Sequence, residues 1–176
     1  HVDQGAKDSL AESSAPPVRT VTIGTGEGPL PMGGETVLYR HERRFVNPVA
    51  YAVTVSDLWD APRLQKAVAD AASLSFQRVG MVFRLDAVRL RCDSADGDRF
   101  TQAATELAAL WDGALVLESK AVEPLKQAAR AIKSRKPLLQ SANPENVKAM
   151  GALSKETGCP LAVQGSDLQG LADLVE

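Results

Sequence analysis

The chain has 176 residues, 44% of them hydrophobic, which is enough to bury one core within the ordinary size range of a single domain. Its 20 Lys and Arg nearly balance 22 Asp and Glu, and a formal charge of −2 creates no long-range field to draw in nucleic acid or an anionic membrane surface. Only two cysteines occur, Cys92 and Cys159, too far apart for a CxxC metal or redox pair and too few for a disulfide framework; no run reaches the roughly 20 apolar residues of a membrane span and no signal-peptide pattern is recognisable, so the cytoplasm is expected.

The opening HVDQGAKDSLAESSAPP is polar and predicts at best a short helix over residues 3–13, followed by a stiff linker at Ala15, Pro16 and Pro17. Residues 19–24 and 36–42 alternate apolar and polar positions, and the Gly- and Pro-rich segment between them suits a hairpin with a long turn. From Val49 onward short apolar runs at 49–55, 85–91, 114–119, 136–141 and 160–165 alternate with helical patterns. Leu64, Val68, Ala71 and Ala72 form one helical stripe, and Phe100, Ala103, Ala104, Leu107 and Leu110 another. Caps are expected at Asp60 with Pro62 in the first turn, at Asn143 with Pro144, and at Ser166 or Asp167, with helix stops at Gly113 and Gly158. Strand followed by helix five times implies parallel strands with right-handed crossovers. The fold class expected is α/β: a TIM-type (β/α) barrel represented by its first five or so units, preceded by a β-hairpin that covers the lower mouth, with further residues beyond Glu176. A five-stranded flavodoxin-like sheet is the alternative.

Gly24, Gly26, Gly28, Gly33 and Gly34 suggest a phosphate loop, but the segment lacks the G-x-x-x-x-G-K-[ST] spacing and contains Pro29 and Pro31, so a hairpin or linker is expected. His41 in RHERRF has no second imidazole nearby to build a zinc or catalytic site, and reads with Glu42, Arg43 and Arg44 as a charged docking surface. Cys92 reads as a small filler rather than a reactive thiol. No catalytic or metal-ligating residue is assigned. Ligands of such folds meet the loops leaving the strands' carboxyl ends, here Ser56, Asp57, Arg91, Asp93, Glu118, Ser119, Ser141, Asn143, Gln164 and Ser166. Asn143 and Ser166 are explained as helix caps. Asp57, Arg91, Asp93 and Asn143 remain the candidate binding groups.

The segments SAPPVRTVTIGTG (14–26), GGETVLYRHERRFVNP (33–48), AVTVSD (52–57), FQRVG (76–80) and RKPLLQSANPENVKAMGALSKETGCPLAV (135–163) together resemble one family across essentially the whole chain. It is the large subunit of the corrinoid iron–sulfur protein, the gamma subunit of the acetyl-CoA decarbonylase/synthase complex. The resemblance implies three modules: a [4Fe–4S] domain on four cysteines, a barrel, and a corrinoid (cobalamin) domain. Residues 1–17 then correspond to a remnant and linker after the iron–sulfur domain, 18–48 to the hairpin and barrel lead-in, and 49–176 to a partial barrel. No ligand of either cofactor carries over onto a residue here. The implied function is that of a scaffold in a methyl carrier, whose cobalt takes a methyl group from a methyltetrahydropterin and delivers it to acetyl-CoA synthase. The implied partners are a small (delta- or beta-type) subunit in a heterodimer, a methyltetrahydropterin methyltransferase, and CO dehydrogenase/acetyl-CoA synthase. The residues also admit a pterin-binding methyltransferase barrel, with Asp57, Asp93 and Asn143 holding the pterin.

Overall fold

The structure is a computed structural model and describes residues 3–14, 18–25, 28–39 and 42–175, with the backbone alone described at 11–14, 36–39 and 42–45. The Ala15–Pro17 linker, His1, His41 and Gly26 lie outside the described residues, as do the side chains of Glu42, Arg43 and Arg44. Two compact units divide the chain, His1–Val21 with Pro31–Val49, and Thr22–Leu30 with Ala50–Glu176.

In chain order the first elements are helix α1 (Gln4–Ser14) and strands β1 (Thr20–Ile23), β2 (Leu30–Gly33), β3 (Glu35–Tyr39) and β4 (Glu42–Phe45). The long hairpin expected between 19–24 and 36–42 is replaced by two short pairs, β1 with β2 and β3 with β4, the latter antiparallel in the register Glu35↔Phe45 to Tyr39↔Glu42. Backbone geometry explains the change. Gly24 takes φ +85° and lets the chain reverse early, while Gly33 and Gly34 take φ +73° and +72° and turn β2 out of its path into β3. A Cβ on Gly34 would stand 2.6 Å from Thr20 Oγ1, so this crossing has no room for a side chain. Asn47 Nδ2 donates to Gly33 O at 2.8 Å and secures the same corner.

The second unit continues with β5 (Ala52–Ser56), α2 (Ala61–Ser73), β6 (Ser75–Arg78), β7 (Met81–Arg84), β8 (Ala87–Arg91), α3 (Gly97–Leu110), β9 (Ala114–Glu118), α4 (Val122–Ala131), β10 (Leu138–Ala142), α5 (Val147–Thr157), β11 (Leu161–Val163) and α6 (Leu168–Val175). Strands β5, β8, β9, β10 and β11 form one sheet in the order β11-β10-β9-β8-β5, with the β5–β8, β8–β9, β9–β10 and β10–β11 pairs all parallel.

This architecture corrects the expected fold class. Among the described residues the sheet is open, with β5 and β11 as its two edges, and does not close into a barrel. Nor is it flavodoxin-like, because its strands follow one another in sequence order instead of doubling back beside the first. Five strands stepped in one direction by right-handed crossovers put their helices on one face. Val55, Val88, Leu90, Leu115, Leu117 and Leu139 accordingly pack in one core with Leu64, Val68, Phe100, Ala104, Leu107, Leu125 and Met150. The other face is apolar only at the strands' amino ends, where the tip of the β1–β2 hairpin lays Ile23 and Leu30 against Ala87, Ala114, Val116 and Leu138. Gly24 N donates to Lys136 O at 2.9 Å and Thr25 Oγ1 to Ser134 O at 2.7 Å, holding the tip in place.

Helix boundaries follow local chemistry, with two corrections. Asp60 caps α2 through Arg63 N, Asp167 accepts from Gly170 N at 2.7 Å, and Gly158 closes α5 at φ +69°. Asn143 instead caps a turn, its Oδ1 accepting from Glu145 N and Asn146 N, and α5 begins only at Val147. Gly113 is not a left-handed stop; a Cβ there would meet Trp111 Nε1 at 2.6 Å and Asp86 O at 3.0 Å, so close packing requires it. The end of α3 is held by Arg135, whose guanidinium donates to the carbonyls of Ala108 and Trp111, each at 2.7 Å, and Gly113 at 3.1 Å. Arg135→Met removes the three guanidinium bonds to these carbonyls while keeping an apolar stem, and is expected to cost about 2–3 kcal/mol in urea unfolding.

Candidate functional site

At the carboxyl ends of β5 and β8 the register sets Ser56 beside Arg91, and just beyond them Asp57 and Asp93 meet across the gap between the two loops. Asp57 is 2% exposed. Its Oδ1 accepts from Asp93 N at 2.9 Å and Ser94 N at 3.2 Å, and its Oδ2 from Ser94 Oγ at 2.5 Å. Asp57 N donates to Arg91 O at 3.1 Å. Arg99, from the first turn of α3, closes the group by donating to Asp57 O at 2.8 Å and Leu58 O at 3.1 Å. Asp57 therefore ties the β8–α3 loop to the β5–α2 loop.

Asp93 has its own partners. Arg91 Nε donates to Asp93 Oδ1 at 2.7 Å and Ser56 Oγ to Asp93 Oδ2 at 2.5 Å, and these hold the Asp93 carboxyl below the usual carboxylate range. A carboxyl whose folded pKa is depressed adds stability above its unfolded pKa, and loses it as pH falls through the folded value. The stability difference between the wild type and Asp93→Asn is thus expected to be constant near neutrality and to shrink below about pH 4. Urea titrations at pH 6 and pH 3 check this; a difference that stays constant or grows on acidification would contradict the assignment.

One layer deeper, Arg89 Nε donates to Thr54 Oγ1 at 2.9 Å and lies 3.3 Å from Glu118 Oε2, a charge contact without hydrogen-bond geometry. Cys92 sits half-buried between the loops, its thiol pushed up by burial and by the Asp57 charge, so it remains protonated near neutrality. Ser119 Oγ turns back on Ala121, and Asn146 Nδ2 donates to Ser141 O. Gln164 and Ser166 are exposed at the last loop.

Of the candidate binding groups, the structure brings Asp57, Arg91 and Asp93 together, while the Asn143 side chain is spent on its own turn. Beside them a cleft of about 400 Å³ is lined by Thr54, Ser56, Trp59, Arg63, Arg91 and Asp93, with the Arg63 guanidinium 4.2 Å from the Trp59 ring centroid. Sequence reading missed Ser94, Arg89 and Arg99. Ser94 lay within the legible CDSAD run, but nothing in the spacing of Arg99 revealed a clamp on a loop forty residues away. Ser56 Oγ is committed as a donor to the Asp93 carboxylate.

The implied iron–sulfur cluster does not fit these residues. A [4Fe–4S] cluster takes four cysteine thiolates, and the chain has two cysteines, both with thiols pushed up by burial. Among the described residues no group of His, Cys, Asp and Glu side chains is placed to hold a metal ion. No described helix is long and apolar enough to cross a membrane.

The fold and the locked loops define an α/β module with an open parallel sheet, helices packed on one face, and a hydrogen-bonded carboxylate cluster at the strand ends. The family profile described as CO dehydrogenase/acetyl-CoA synthase delta subunit matches residues 20–176, and the chain belongs to that family. It is 39% identical over 176 residues to the corrinoid/iron-sulfur protein large subunit of Moorella thermoacetica, covering 100% of this chain and 40% of that protein. It is 30% identical over 175 residues to the acetyl-CoA decarbonylase/synthase complex subunit gamma of Methanopyrus kandleri, covering 99% of this chain and 38% of that one. The same subunit of Methanothermobacter thermautotrophicus is 33% identical over 169 residues. The recognition made from the sequence segments is thereby borne out.

Proposed function

We propose that this chain is a central, non-catalytic scaffold of a corrinoid iron–sulfur methyl carrier. The carrier accepts a methyl group from a methyltetrahydropterin and delivers it to acetyl-CoA synthase in the cytoplasm. Membership of the family and likeness to the large and gamma subunits support the pathway. The observation that carries the scaffold role is that the charged groups at the strand ends bond to one another and to loop amides, with the Asp57 carboxylate accepting three hydrogen bonds within its own module. A pterin-binding site would need such a carboxylate turned toward ligand.

The partners proposed are a small subunit in a heterodimer, the methyltetrahydropterin methyltransferase and CO dehydrogenase/acetyl-CoA synthase. Corrinoid and [4Fe–4S] cofactors would be held by residues other than these. The test is made on the intact polypeptide containing this segment, which should show a cob(II)alamin absorption band and about four iron atoms per molecule. A polypeptide lacking both would overturn the reading. Titration of the chain with methyltetrahydrofolate should show no saturable binding; saturation abolished by Asp57→Asn would instead favour a pterin-binding methyltransferase.

A further inference from the structure

Between α2 and β8 the chain makes a hairpin that the βα rhythm does not require. Strands β6 and β7 pair antiparallel in the register Ser75↔Arg84, Phe76↔Phe83, Gln77↔Val82 and Arg78↔Met81. Alternation puts Phe76, Arg78, Met81 and Phe83 on one face, where the two phenylalanine rings stack at 5.1 Å. Phe76 is 56% exposed, Met81 59%, Val82 66% and the tip residue Val79 89%. Val79 and Gly80 form the two-residue turn at φ +50° and +76°, a conformation that favours Asn or Gly and disfavours a β-branched side chain. At the hairpin's foot Leu74 and Arg84 line a cleft of about 800 Å³.

Aromatic residues, methionine and arginine are the types enriched where proteins meet, and lysine is depleted there. The hairpin segment LSFQRVGMVFR has two arginines, no lysine and no acidic residue, on a chain whose net charge is −2. Among the described residues Arg84 has one distant ionic partner, Asp86 Oδ1 at 4.0 Å, with three quarters of its side chain exposed. The register puts Arg78 on the Phe76 face and Arg84 on the opposite one, so the arm carries a guanidinium on each side and is complementary to an apolar groove flanked by carboxylates. It is not complementary to itself, since two copies meeting through the Phe76 face would bring two Arg78 guanidinium groups together, and the hairpin carries no carboxylate to balance them. We propose that the β6–β7 hairpin is a docking arm for a partner protein subunit that presents such an acid-flanked apolar surface. This rests on the reading that the chain works beside a small subunit, and it names the element that meets it.

The test uses the full chain and a purified small subunit of a corrinoid iron–sulfur protein, with binding measured by calorimetry at low and moderate salt. Phe76→Ser combined with Val82→Ser is expected to weaken binding at least about tenfold. Arg78→Glu with Arg84→Glu should weaken it by a similar factor and reverse its salt dependence. Val79→Asn suits the turn better, so it should keep or raise the melting temperature while weakening binding several-fold, which separates lost contact from lost folding. If the wild type binds and all three variants bind equally well, the docking arm is refuted while the partnership stands; if the wild type does not bind, both fall. Self-association in sedimentation that disappears with Phe76→Ser would make a second copy the occupant and overturn the proposal. Cosedimentation with phosphatidylglycerol vesicles that Arg78→Glu abolishes would overturn it in favour of a lipid surface.

Discussion

Phe100→Ala is expected to destabilise the chain by about 3–5 kcal/mol, a large share of the 5–15 kcal/mol that holds a typical domain together. Phe100 lies in the first half of α3, is fully buried, and heads the largest buried side chains of the core that α3 shares with the sheet. Truncation removes a ring from the core cluster that α3 shares with sheet residues such as Leu90 and Leu117, between elements too regular to collapse into the void. In urea unfolding the midpoint should drop with little change in slope, because the surface exposed on unfolding is nearly the same. Phe76→Ala is the matched control: the same deletion at an exposed ring should cost under about 1 kcal/mol, mainly the stacking with Phe83. Equal losses at the two positions would mean that α3 does not pack on the sheet as described.

Asp57→Ala is expected to cost about 3–4 kcal/mol without creating a large cavity, because the damage is polar. It takes the acceptor from the amides of Asp93 and Ser94 and from the Ser94 hydroxyl, three part-buried bonds lost at once. Asp57→Asn keeps one acceptor oxygen and should lose roughly half as much, since its amide nitrogen faces donors where Oδ2 accepted from Ser94. Hydrogen exchange at Asp93 and Ser94 gives a local readout: protection should fall in both variants, while amides in the middle of β9 change only with global stability. Loss spread evenly over the sheet would contradict a local tie between the two loops.

These two positions mark how far the residues could be read in advance. Phe100 was legible because a helix repeats its buried face every three or four residues, and Phe100, Ala104 and Leu107 obey that spacing. Leu110 shared the stripe but stands exposed at the last turn, and Ala72 does the same at the end of α2, because burial at a helix end depends on what packs beyond it and spacing carries no term for that. Asp57 was legible only as a charged residue following a strand. Its hydrogen bonds reach residues thirty-six and thirty-seven positions away, and depend on the parallel register Ser56↔Arg91. Asn143 shows the intermediate case: the Asn-Pro pair announced a cap, and the structure placed it on a turn ahead of α5. The β6–β7 hairpin was missed because its ten residues lay between two apolar runs and were absorbed into the βα rhythm, although the alternation in SFQRVGMVFR and the Val-Gly tip were present.

By itself the amino-acid sequence determined the five parallel strands, the helices between them and most of their caps, because hydrophobic period and capping are settled by neighbours a few residues apart. It also identified the family, through runs such as RHERRFVNP. Only the tertiary structure decided that the sheet is open with edges at β5 and β11, that the N-terminal strands pair as two short hairpins, and that Asp57 locks two loops. Each of those outcomes turns on which distant strand or loop an element meets, and that choice belongs to the packing of the whole chain rather than to any local stretch of it.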